Sequence, residues 1–413
     1  MIENKYFKKT ILELIPDQWG IDKIGNIFYI KTGKTNVQDS TQDGKYPLFD
    51  RSTRLKKSSK YLFDSEAIIV PGEGKEFIPR YFDGKFDLHQ RAYALIPIDK
   101  NINVKFCYYW IYLDRAYLEK VSVGSTVKSL RLEHFYNFPI PLPSRKEQDS
   151  ISVILSCLDS KIELNEKMNK TLETIAQAIF KHWFIDFEFP NEEGKPYKSS
   201  GGEMVDSELG KIPKGWKVRK FKDLGRIVCG KTPLTKDETN FGNDIPFITI
   251  PDMRGSVFTL ETERYLSIKG ADSQKSKFLP PLTVCVSCIA TPGLVALTSA
   301  ESQTNQQINS IICKKEISPF FAYFIAKEKT DEIIKKGMGG TATLNLNTSD
   351  FSNLKLILPN TSIISRFHVS IHLLFRKILL NSKGILKLTE IRDSLLPKLM
   401  TGKIRVPLED KHE

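Results

Sequence analysis

The sequence has few of the residues that build metal clusters and disulfide frameworks. It contains six cysteines among 413 residues, scattered along the chain, and six histidines. This usage is typical of a reduced, cytoplasmic protein and argues against a secreted disulfide scaffold. Cys285 and Cys288 have the spacing of a zinc or redox pair, but no second pair or histidine cluster lies nearby, and their neighbours are typical of a buried strand. We therefore expect no bound metal.

Long hydrophobic runs are also missing. The longest apolar region, Leu282 to Leu297, is too short to cross a membrane and is interrupted by Pro292 and Gly293. The first ten residues, MIENKYFKKT, lack the apolar core of a signal peptide. We therefore expect no membrane association and a cytoplasmic location.

Signatures of catalysis are absent or incomplete. There is no Asn/Asp-Pro-Pro-aromatic sequence of the methyltransferases and no Ser-His-Asp order. Residues 225–232 match the P-loop pattern letter for letter, but the segment before them does not predict a buried strand, and Pro233 follows the final threonine. Asp64 with Glu73 loosely suits a metal-dependent nuclease, although the duplicated half has Ile289 in place of Glu73. These patterns leave a stand-alone ATPase or nuclease as an alternative.

The charge of the chain is strongly basic. Sixty-one lysines and arginines oppose 49 acidic residues, which gives a formal net charge of +12. Such an excess favours a polyanionic partner, with nucleic acid as the leading candidate. The alternative is a protein with a lysine-rich surface and no nucleic-acid partner.

An internal repeat organises the whole chain. Pro-x-x-Trp at 16–19 recurs at 213–216, and Gly-Lys-Thr at 33–35 recurs at 230–232, each with an offset of 197 residues. From Gln90 and Gln306 onward the offset is 216, so the second copy carries a net insertion of 19 residues in its front part. Two related halves usually pack about a pseudo-two-fold axis, which suits duplex DNA.

Each half combines a globular part with a long helix. Short strand-like runs occur at 67–70, 92–96, 247–250 and 284–286, separated by Gly, Pro and Asp turns. Helical stretches at 104–120 and 320–336 lie among them, which predicts an α+β fold. The segment 190–214 is rich in Gly, Ser, Pro and charge and is typical of an exposed connector.

The long helices have the clearest periodicity. Apolar residues repeat four and three apart from Ile151 to Ile179 and from Phe367 to Leu395, with Arg392 as the exception. This spacing predicts a coiled-coil seam. Asn165 and Asn381 occupy the same heptad position, so in an antiparallel pair we expect them to meet and fix the register; the alternative is that both face solvent.

The ends of these helices also have sequence signals. Ser144 followed by Glu147 is a helix-start pattern, and Gly402 is a helix stop. A helix of roughly 35–40 residues spans about 50–60 Å, which exceeds the roughly 34 Å of one turn of DNA. Domains held at its ends would therefore contact grooves more than one turn apart.

Several segments resemble one known family. They are residues 141–148, 158–165, 177–187, 210–216 and 396–404. They resemble the conserved regions of the specificity subunits of Type I restriction-modification systems, and the resemblance covers nearly the whole chain. It implies two target-recognition domains with pseudo-two-fold symmetry, separated by two long helices that form an antiparallel coiled coil. The implied boundaries are 1–142 and 216–359 for the two domains, 143–187 and 360–405 for the helices, and 188–215 for the linker.

The resemblance also implies partners. Each domain reads one half of a bipartite asymmetric site in double-stranded DNA, and the helices set the spacer. Two methylation subunits dock on the chain, two restriction subunits can join them, and all catalysis belongs to these partners. S-adenosylmethionine, ATP and magnesium are expected on the partner subunits and none on this chain. A structural coiled-coil protein with incidental basic charge is the other alternative.

Phosphate contacts supply most DNA affinity and base-edge contacts supply specificity. Basic clusters and the small-residue loops at 124–128 and 339–343 therefore supply the candidates. In the first half these are Lys34, Thr35, Arg51, Arg54, Lys56, Lys57, Arg91, Thr126 and Lys128. In the second half they are Lys217, Arg219, Lys220, Lys231, Thr232, Gln307, Thr341 and Thr343.

Some of these segments have an alternative interpretation. Solvated faces and ordinary turns are the alternatives for the basic clusters and the loops. Gln90 and Gln306 are shared between the halves, so we expect them to support the fold or to contact the backbone of DNA, because residues that specify different half-sites should differ.

Overall fold

The structure is a computed structural model that describes residues 14–52, 54–74, 76–338 and 345–407. The chain divides into two compact units, Met1–Ile162 with Lys387–Glu413, and Glu163–Leu386. Each unit contains one mixed domain of helices and strands together with a portion of each of the two longest helices.

The first domain contains ten strands and four short helices within the described residues. The strands are β1 (Gly20–Lys23), β2 (Phe28–Thr32), β3 (Tyr46–Phe49), β4 (Lys56–Ser58), β5 (Phe63–Pro71), β6 (Glu73–Gly74), β7 (Arg80–Leu88), β8 (Ala92–Pro97), β9 (Lys128–Ser129) and β10 (Pro139–Leu142). The helices are α1 (Ile24–Ile27), α2 (Val104–Leu113), α3 (Arg115–Val121) and α4 (Leu132–Tyr136), with a 3-10 turn at Val37–Asp39.

Six of these strands form one sheet in the order β2-β8-β5-β7-β3-β4. Neighbours are antiparallel, apart from β3, which is parallel to β7. β5 is buried on both faces, because Ile68 and Val70 join the larger core around α2 while Ala67 and Ile69 join a smaller core on the other side. This double burial explains the continuous apolar run that predicted the strand.

The helical stretch predicted at 104–120 is broken in the structure. α2 ends at Leu113 and α3 begins at Arg115, with Asp114 between them outside helical geometry. Burial raises the pKa of Asp114 to about 6. The predicted counterpart at 320–336 is broken in the same way, so the expectation of one continuous helix was wrong at both places.

The second domain repeats this plan with more elements. Its strands, with the preceding connector, are β11 (Met204–Ser207), β12 (Gly210–Pro213), β13 (Lys217–Lys220), β14 (Gly225–Cys229), β15 (Phe241–Gly242), β16 (Ile245–Ile248), β17 (Phe258–Thr259), β18 (Arg264–Leu266), β19 (Val284–Ser287), β20 (Val295–Thr298), β21 (Gln303–Thr304), β22 (Ile308–Cys313) and β23 (Lys355–Leu358). The two long helices and the helices of this domain are α5 (Arg145–Phe180), α6 (Phe221–Leu224), α7 (Ile268–Asp272), α8 (Pro319–Glu328), α9 (Thr330–Gly337), α10 (Thr348–Ser352) and α11 (Thr361–Met400). Short 3-10 turns lie at Glu238–Asn240, Pro251–Met253 and Lys275–Lys277.

The strand pairings establish the correspondence between the domains. Leu48 and Phe49 pair in parallel with β7, and Phe247 and Ile248 pair in parallel with β21. β5 pairs with β8 as β19 pairs with β22, at matching registers. β18 pairs with β16 as β4 pairs with β3. Most of the additional residues of the second copy therefore lie between β16 and β19, on either side of β18, where they include β17 and α7.

Each domain begins and ends in one antiparallel strand pair. Gly20 is opposite Leu142 in β1 and β10, and Lys217 is opposite Leu358 in β13 and β23. Both domains are therefore closed segments of chain whose two ends lie side by side.

The signals at the ends of the long helices are confirmed. The Glu147 N–H donates to Ser144 Oγ at 3.4 Å, and α5 starts at Arg145. α11 ends at Met400, and Gly402 follows with a φ of +65°, a backbone conformation that favours glycine. A single π-helical turn, Lys181–Ile185, continues α5.

Within the second unit, α5 and α11 run antiparallel. Asn381 Nδ2 donates to Asn169 Oδ1 at 3.0 Å, and Asn169 Nδ2 donates to Ser382 Oγ at 3.0 Å. Further along, the Phe180 ring packs against Phe367. Asn165 and Asn381 are both buried, each 6% exposed, but the expected contact between them was wrong. The observed register places Asn169, one helical turn beyond Asn165, opposite Asn381.

Within the first unit the same two helices are also antiparallel. Arg392 Nη1 donates to Asp159 Oδ1 at 2.9 Å, and the Tyr109 hydroxyl donates to Asp159 Oδ2 at 2.6 Å. This ion pair explains why a charged residue interrupts the apolar seam at position 392. Nearby, Arg405 Nε donates to Glu147 Oε1 at 2.8 Å. Over the part of the chain that the structure describes, no helix is both long and apolar enough to cross a membrane.

Candidate nucleic-acid interface

The Gly-Lys-Thr loop of the first domain is anchored by a buried carboxylate. Thr35 is 1% exposed, and its hydroxyl donates to Asp87 at 2.8 Å; Ser58 Oγ donates to the same carboxylate at 2.7 Å. The expectation that Thr35 contacts DNA is therefore corrected, because its hydroxyl supports the loop. Lys34, its neighbour, is exposed.

Three charged residues from separate segments meet beside this loop. Arg51 Nη1 donates to Glu73 Oε2 at 2.9 Å, and Arg91 Nη1 donates to Glu73 Oε1 at 2.6 Å. The hydrogen bond from Arg91 lowers the pKa of Glu73 below its usual value, against a smaller opposing effect of burial. Two predicted DNA contacts, Arg51 and Arg91, are thus brought together by a carboxylate that the candidate set did not include.

The small-residue loop at 124–128 joins the same region. β6 pairs with β9, which places Lys128 opposite Gly74 and Ser129 opposite Glu73. Thr126 and Lys128 are exposed, and Lys128 Nζ also donates to the Glu119 carbonyl at 3.2 Å. The structure therefore brings Arg51 and Arg91 to one carboxylate and places the strand that carries Lys128 beside the strand of Glu73.

The remaining basic residues of the first domain differ in accessibility. Arg54 and Lys57 are exposed. Lys56 is half-buried, and its Nζ lies 2.6 Å from Asp50 Oδ2. Burial raises the pKa of Asp50, but hydrogen bonds from Lys56 and Ser52 outweigh it and the pKa lies below its usual value. Lys56 is therefore better placed to hold this loop than to contact a ligand.

The second domain repeats the loop arrangement with other side chains. The Lys231 N–H donates to the Thr304 carbonyl at 2.9 Å, and Thr232 Oγ1 donates to Gln306 Oε1 at 2.7 Å. Asn305 Nδ2 donates to Gln307 Oε1 at 3.0 Å. Lys231 is exposed, whereas Thr232 and Gln307 are half-buried.

The shared glutamines tie these loops together. Gln306 accepts from Thr232, and in the first domain Gln90 Nε2 donates to Asn36 Oδ1 at 2.8 Å. Gln90 also donates its backbone N–H to the Thr35 carbonyl. These contacts support the expectation that both glutamines serve the fold.

The P-loop match in this region lacks P-loop geometry. Residues 225–229 form strand β14 instead of a phosphate-binding loop, and no helix starts at Lys231. A side chain at Gly230 would collide with the Asn305 and Thr304 carbonyls, so this glycine allows close packing of two loops. The backbone N–H of Lys231 is already bonded to protein and is not free to cradle a phosphate.

The basic cluster at the start of the second domain lies on a separate two-stranded sheet formed by β13 and β23. Lys217, Arg219 and Lys220 belong to β13, where Lys220 Nζ donates to Asn353 Oδ1 at 3.1 Å. Lys217 and Arg219 are exposed. Within the described ranges, no hydrogen bond or ion pair joins these side chains to Lys231. Thr341 and Thr343 lie outside the described residues.

The two domains carry different side chains at two matched positions of this region. Glu73 is opposite Ser129 in the first domain, and Ile289 is opposite Asn345 in the second, 216 residues later in each strand. Gln307 stands at the same offset from Arg91. The backbone arrangement is therefore shared, while the side chains that line it are not. The sequence signal that would have identified Glu73 as important is this mismatch between halves.

The Cys285–Cys288 pair has the surroundings of a structural element. Cys285 lies in β19, is fully buried and accepts a hydrogen bond from Ser310, and burial raises the pKa of its thiol to about 12. Among the described residues, no group of three or more His, Cys, Asp or Glu side chains is arranged to hold a metal ion.

Comparison with known proteins agrees with the duplicated plan. The family model of the Type I restriction modification DNA specificity domain matches twice, over residues 16–174 and 213–371. The HindI specificity subunit of Haemophilus influenzae is 35% identical, over 81% of this chain and 85% of its own. The MjaIX specificity subunit of Methanocaldococcus jannaschii is 28% identical, over 97% of this chain and 96% of its own.

A solved structure has the same fold. The S subunit of a Type I restriction-modification system from M. genitalium superposes with a TM-score of 0.63 at 17% identity, over 93% of this chain and 96% of that one. The domain is duplicated, the family model matches both copies, and these relatives are specificity subunits. The chain therefore belongs to the family of Type I restriction-modification DNA specificity subunits.

Proposed function

We propose that the chain is the non-catalytic DNA-recognition subunit of a Type I restriction-modification complex in the cytoplasm, and that each domain reads one half of a bipartite asymmetric site. The observation that carries this proposal is the same loop arrangement built twice with different side chains. Glu73 and Arg91 occupy it in the first domain, and Ile289 and Gln307 occupy the matching positions in the second. A shared frame with different side chains is what two different half-sites require.

The long helices are proposed to form one antiparallel coiled coil that separates the domains and sets the spacer of the site. The contacts of Asn169 with Asn381 and of Asp159 with Arg392 support this arrangement. α5 has 36 residues and α11 has 40. At about 1.5 Å rise per residue, each is roughly 55–60 Å long, which is longer than the roughly 34 Å of one DNA turn.

The same helices carry a duplicated apolar surface. Three apolar residues of α5 are matched, 216 positions later, by identical and similarly exposed residues of α11. They are Val153 and Val369 (58% and 64% exposed), Leu164 and Leu380 (51% and 56%), and Ile175 and Ile391 (44% and 38%). Their spacing of 11 residues is close to three helical turns, so each set lies along one helix face.

Exposed apolar residues at helix spacing favour a protein partner. Because the surface occurs twice with identical residue types, we propose that it binds two copies of one partner, the methylation subunit. Two restriction subunits complete a restriction-competent complex. S-adenosylmethionine, ATP and magnesium are proposed to act on those partners.

The function is tested with the chain co-purified with its methylation subunit. We expect the complex to bind a subset of double-stranded DNA sequences tightly, and methylome sequencing of the host to find two short blocks around a fixed gap. Phosphate contacts give non-specific binding that falls steeply with salt, so the comparison is made near physiological ionic strength. A single continuous site, or binding without sequence preference, would contradict the proposal.

One further measurement distinguishes the proposed function from that of a stand-alone enzyme. We expect the purified chain to neither hydrolyse ATP nor nick DNA. Turnover that disappears in Lys231→Ala would favour that alternative, since Lys231 is the only lysine of the P-loop-like segment.

The docking surface gives a stoichiometry prediction. Leu164→Asp is expected to remove one methylation subunit, Leu380→Asp the other, and the double variant both, because a carboxylate at a buried apolar contact is costly. Native mass spectrometry of the co-expressed complex counts the subunits. Thr174→Asp is the matched control, since Thr174 is exposed on α5 but is not one of the matched apolar residues. Retention of two subunits by the double variant would show that the partner docks elsewhere.

A further inference from the structure

One carboxylate in the first domain is shared by two arginines. Arg51 follows β3, Arg91 lies in the turn between β7 and β8, and each donates to a different oxygen of Glu73. The side chain of Glu73 is 16% exposed, whereas those of Arg51 and Arg91 are 53% and 55% exposed. The carboxylate is therefore mostly covered, while both guanidinium groups reach solvent.

Most donors of these arginines remain available. A guanidinium has five N–H donors in a planar fork, and each ion pair is made through Nη1. Within the described residues, no other protein acceptor bonds either guanidinium. The two arginines can therefore bind a ligand while their hydrogen bonds to Glu73 remain in place.

The backbone around the pair is fixed by short-range contacts. The Arg91 N–H donates to His89 Nδ1 at 3.1 Å, and the Gly72 N–H donates to the Arg91 carbonyl at 2.9 Å. Burial lowers the pKa of His89, which keeps its ring neutral and Nδ1 able to accept. A side chain at Gly72 would place Cβ 2.7 Å from the Arg91 carbonyl oxygen, so glycine allows this close approach.

Glu73 and Arg91 have no identical counterparts in the second domain. Ile289 and Gln307 stand at the positions that match Glu73 and Arg91, and the second domain forms the equivalent strand contact without them. The ion-pair cluster is therefore not required for the strand contact that both domains share, so it can differ between two domains that read different half-sites.

We propose that Arg51 and Arg91, held by Glu73, form a guanine-binding site in the first domain, which contacts O6 and N7 of one guanine in the major groove. Arginine is the usual partner of these two acceptors. Glu73 is a positioning residue in this site. The inference rests on the proposed function, because it assumes that the first domain reads DNA.

The charges favour a base edge over a phosphate. Arg51, Arg91 and Glu73 together carry a net charge of only +1, and the Glu73 carboxylate would repel a phosphate that approached both guanidinium groups. A guanine edge is neutral and offers two acceptors in one plane, which matches the planar fork of an oriented arginine.

The test uses the complete complex and duplexes that carry its own site. The block read by the first domain is assigned by exchanging residues 20–142, and each guanine of that block is replaced in turn by 7-deazaguanine, which lacks N7. For the unmodified complex we expect affinity to fall roughly tenfold at one guanine. In the Arg91→Gln and Arg51→Gln variants, 7-deazaguanine at the same position should cause no additional loss of affinity.

The role of Glu73 is tested by Glu73→Gln, which keeps the shape and removes the charge. We expect affinity for the true site to fall roughly tenfold, while affinity for random duplex rises because one negative charge that repels phosphate is removed. Glu133→Gln makes the same charge change at an exposed helix position, and should raise binding to random duplex without loss at the true site. Misfolding would instead lower both affinities.

The outcomes separate the inference from the proposed function. If the unmodified complex has no two-block site, the proposed function fails. If it reads such a site but no guanine of the first block responds to 7-deazaguanine, or the response is unchanged in both arginine variants, the guanine-binding site is wrong while the function stands. An unchanged preference in Glu73→Gln would exclude positioning by Glu73.

Discussion

Replacing residues 217–358 by the corresponding segment of another specificity subunit is expected to change one block of the DNA site completely and to leave the other block and the gap unchanged. The physical reason is the way the segment closes. Lys217 and Leu358 are opposite each other in paired strands, so a new domain enters and leaves the structure at one point. Methylome sequencing of a host that carries the chimera measures the result directly.

The control exchange lies in the first domain. Gly20 and Leu142 close it in the same way, so exchange of residues 20–142 should change only the other block. If either chimera altered both blocks, the two domains would not read DNA independently. Each chimera should retain its methylation subunits, because Leu164 and Leu380 lie outside both exchanged segments.

Lengthening both long helices by four residues is expected to widen the gap by one or two base pairs and to leave both blocks intact. Four residues add about 6 Å and slightly more than one helical turn, against about 3.4 Å per base pair. Insertions after Ile162 and after Lys387 leave the Asn169–Asn381 contact of one unit and the Asp159–Arg392 contact of the other untouched. Methylome sequencing again gives the gap.

An insertion in α5 alone is the informative comparison. It leaves the helices unequal in length, so we expect loss of binding or of soluble complex in place of a new gap. A gap that stays constant in the double insertion, or a changed block sequence, would show that the helices do not set the spacing.

The sequence alone predicted the general plan of this protein. The offset repeat predicted two related domains, and the family model matches each of them. The seam periodicity predicted two long helices, and α5 and α11 are present with the expected start and stop signals. These features were predictable because they depend on local periodicity, on capping residues and on the comparison of one half with the other.

Contacts between distant segments could not be predicted in this way. The register of the long helices differs by one turn from the expected Asn165–Asn381 pair, because heptad spacing defines a face but leaves the axial shift to the packing of the whole helix pair. Thr35 was expected at the surface, but a carboxylate 52 residues away binds its hydroxyl. Neither contact has a local sequence signal.

The candidate site divides in the same way. Composition and repeat comparison selected Arg51, Arg91 and Lys128 as basic residues, and the sequence by itself determined that much. Only the tertiary structure decided that the two arginines meet at Glu73, because β3 must pair with β7, β5 with β8 and β6 with β9 before Glu73 can lie between them. Charge and periodicity are properties of the chain, whereas a binding site depends on which distant segments the sheet brings together.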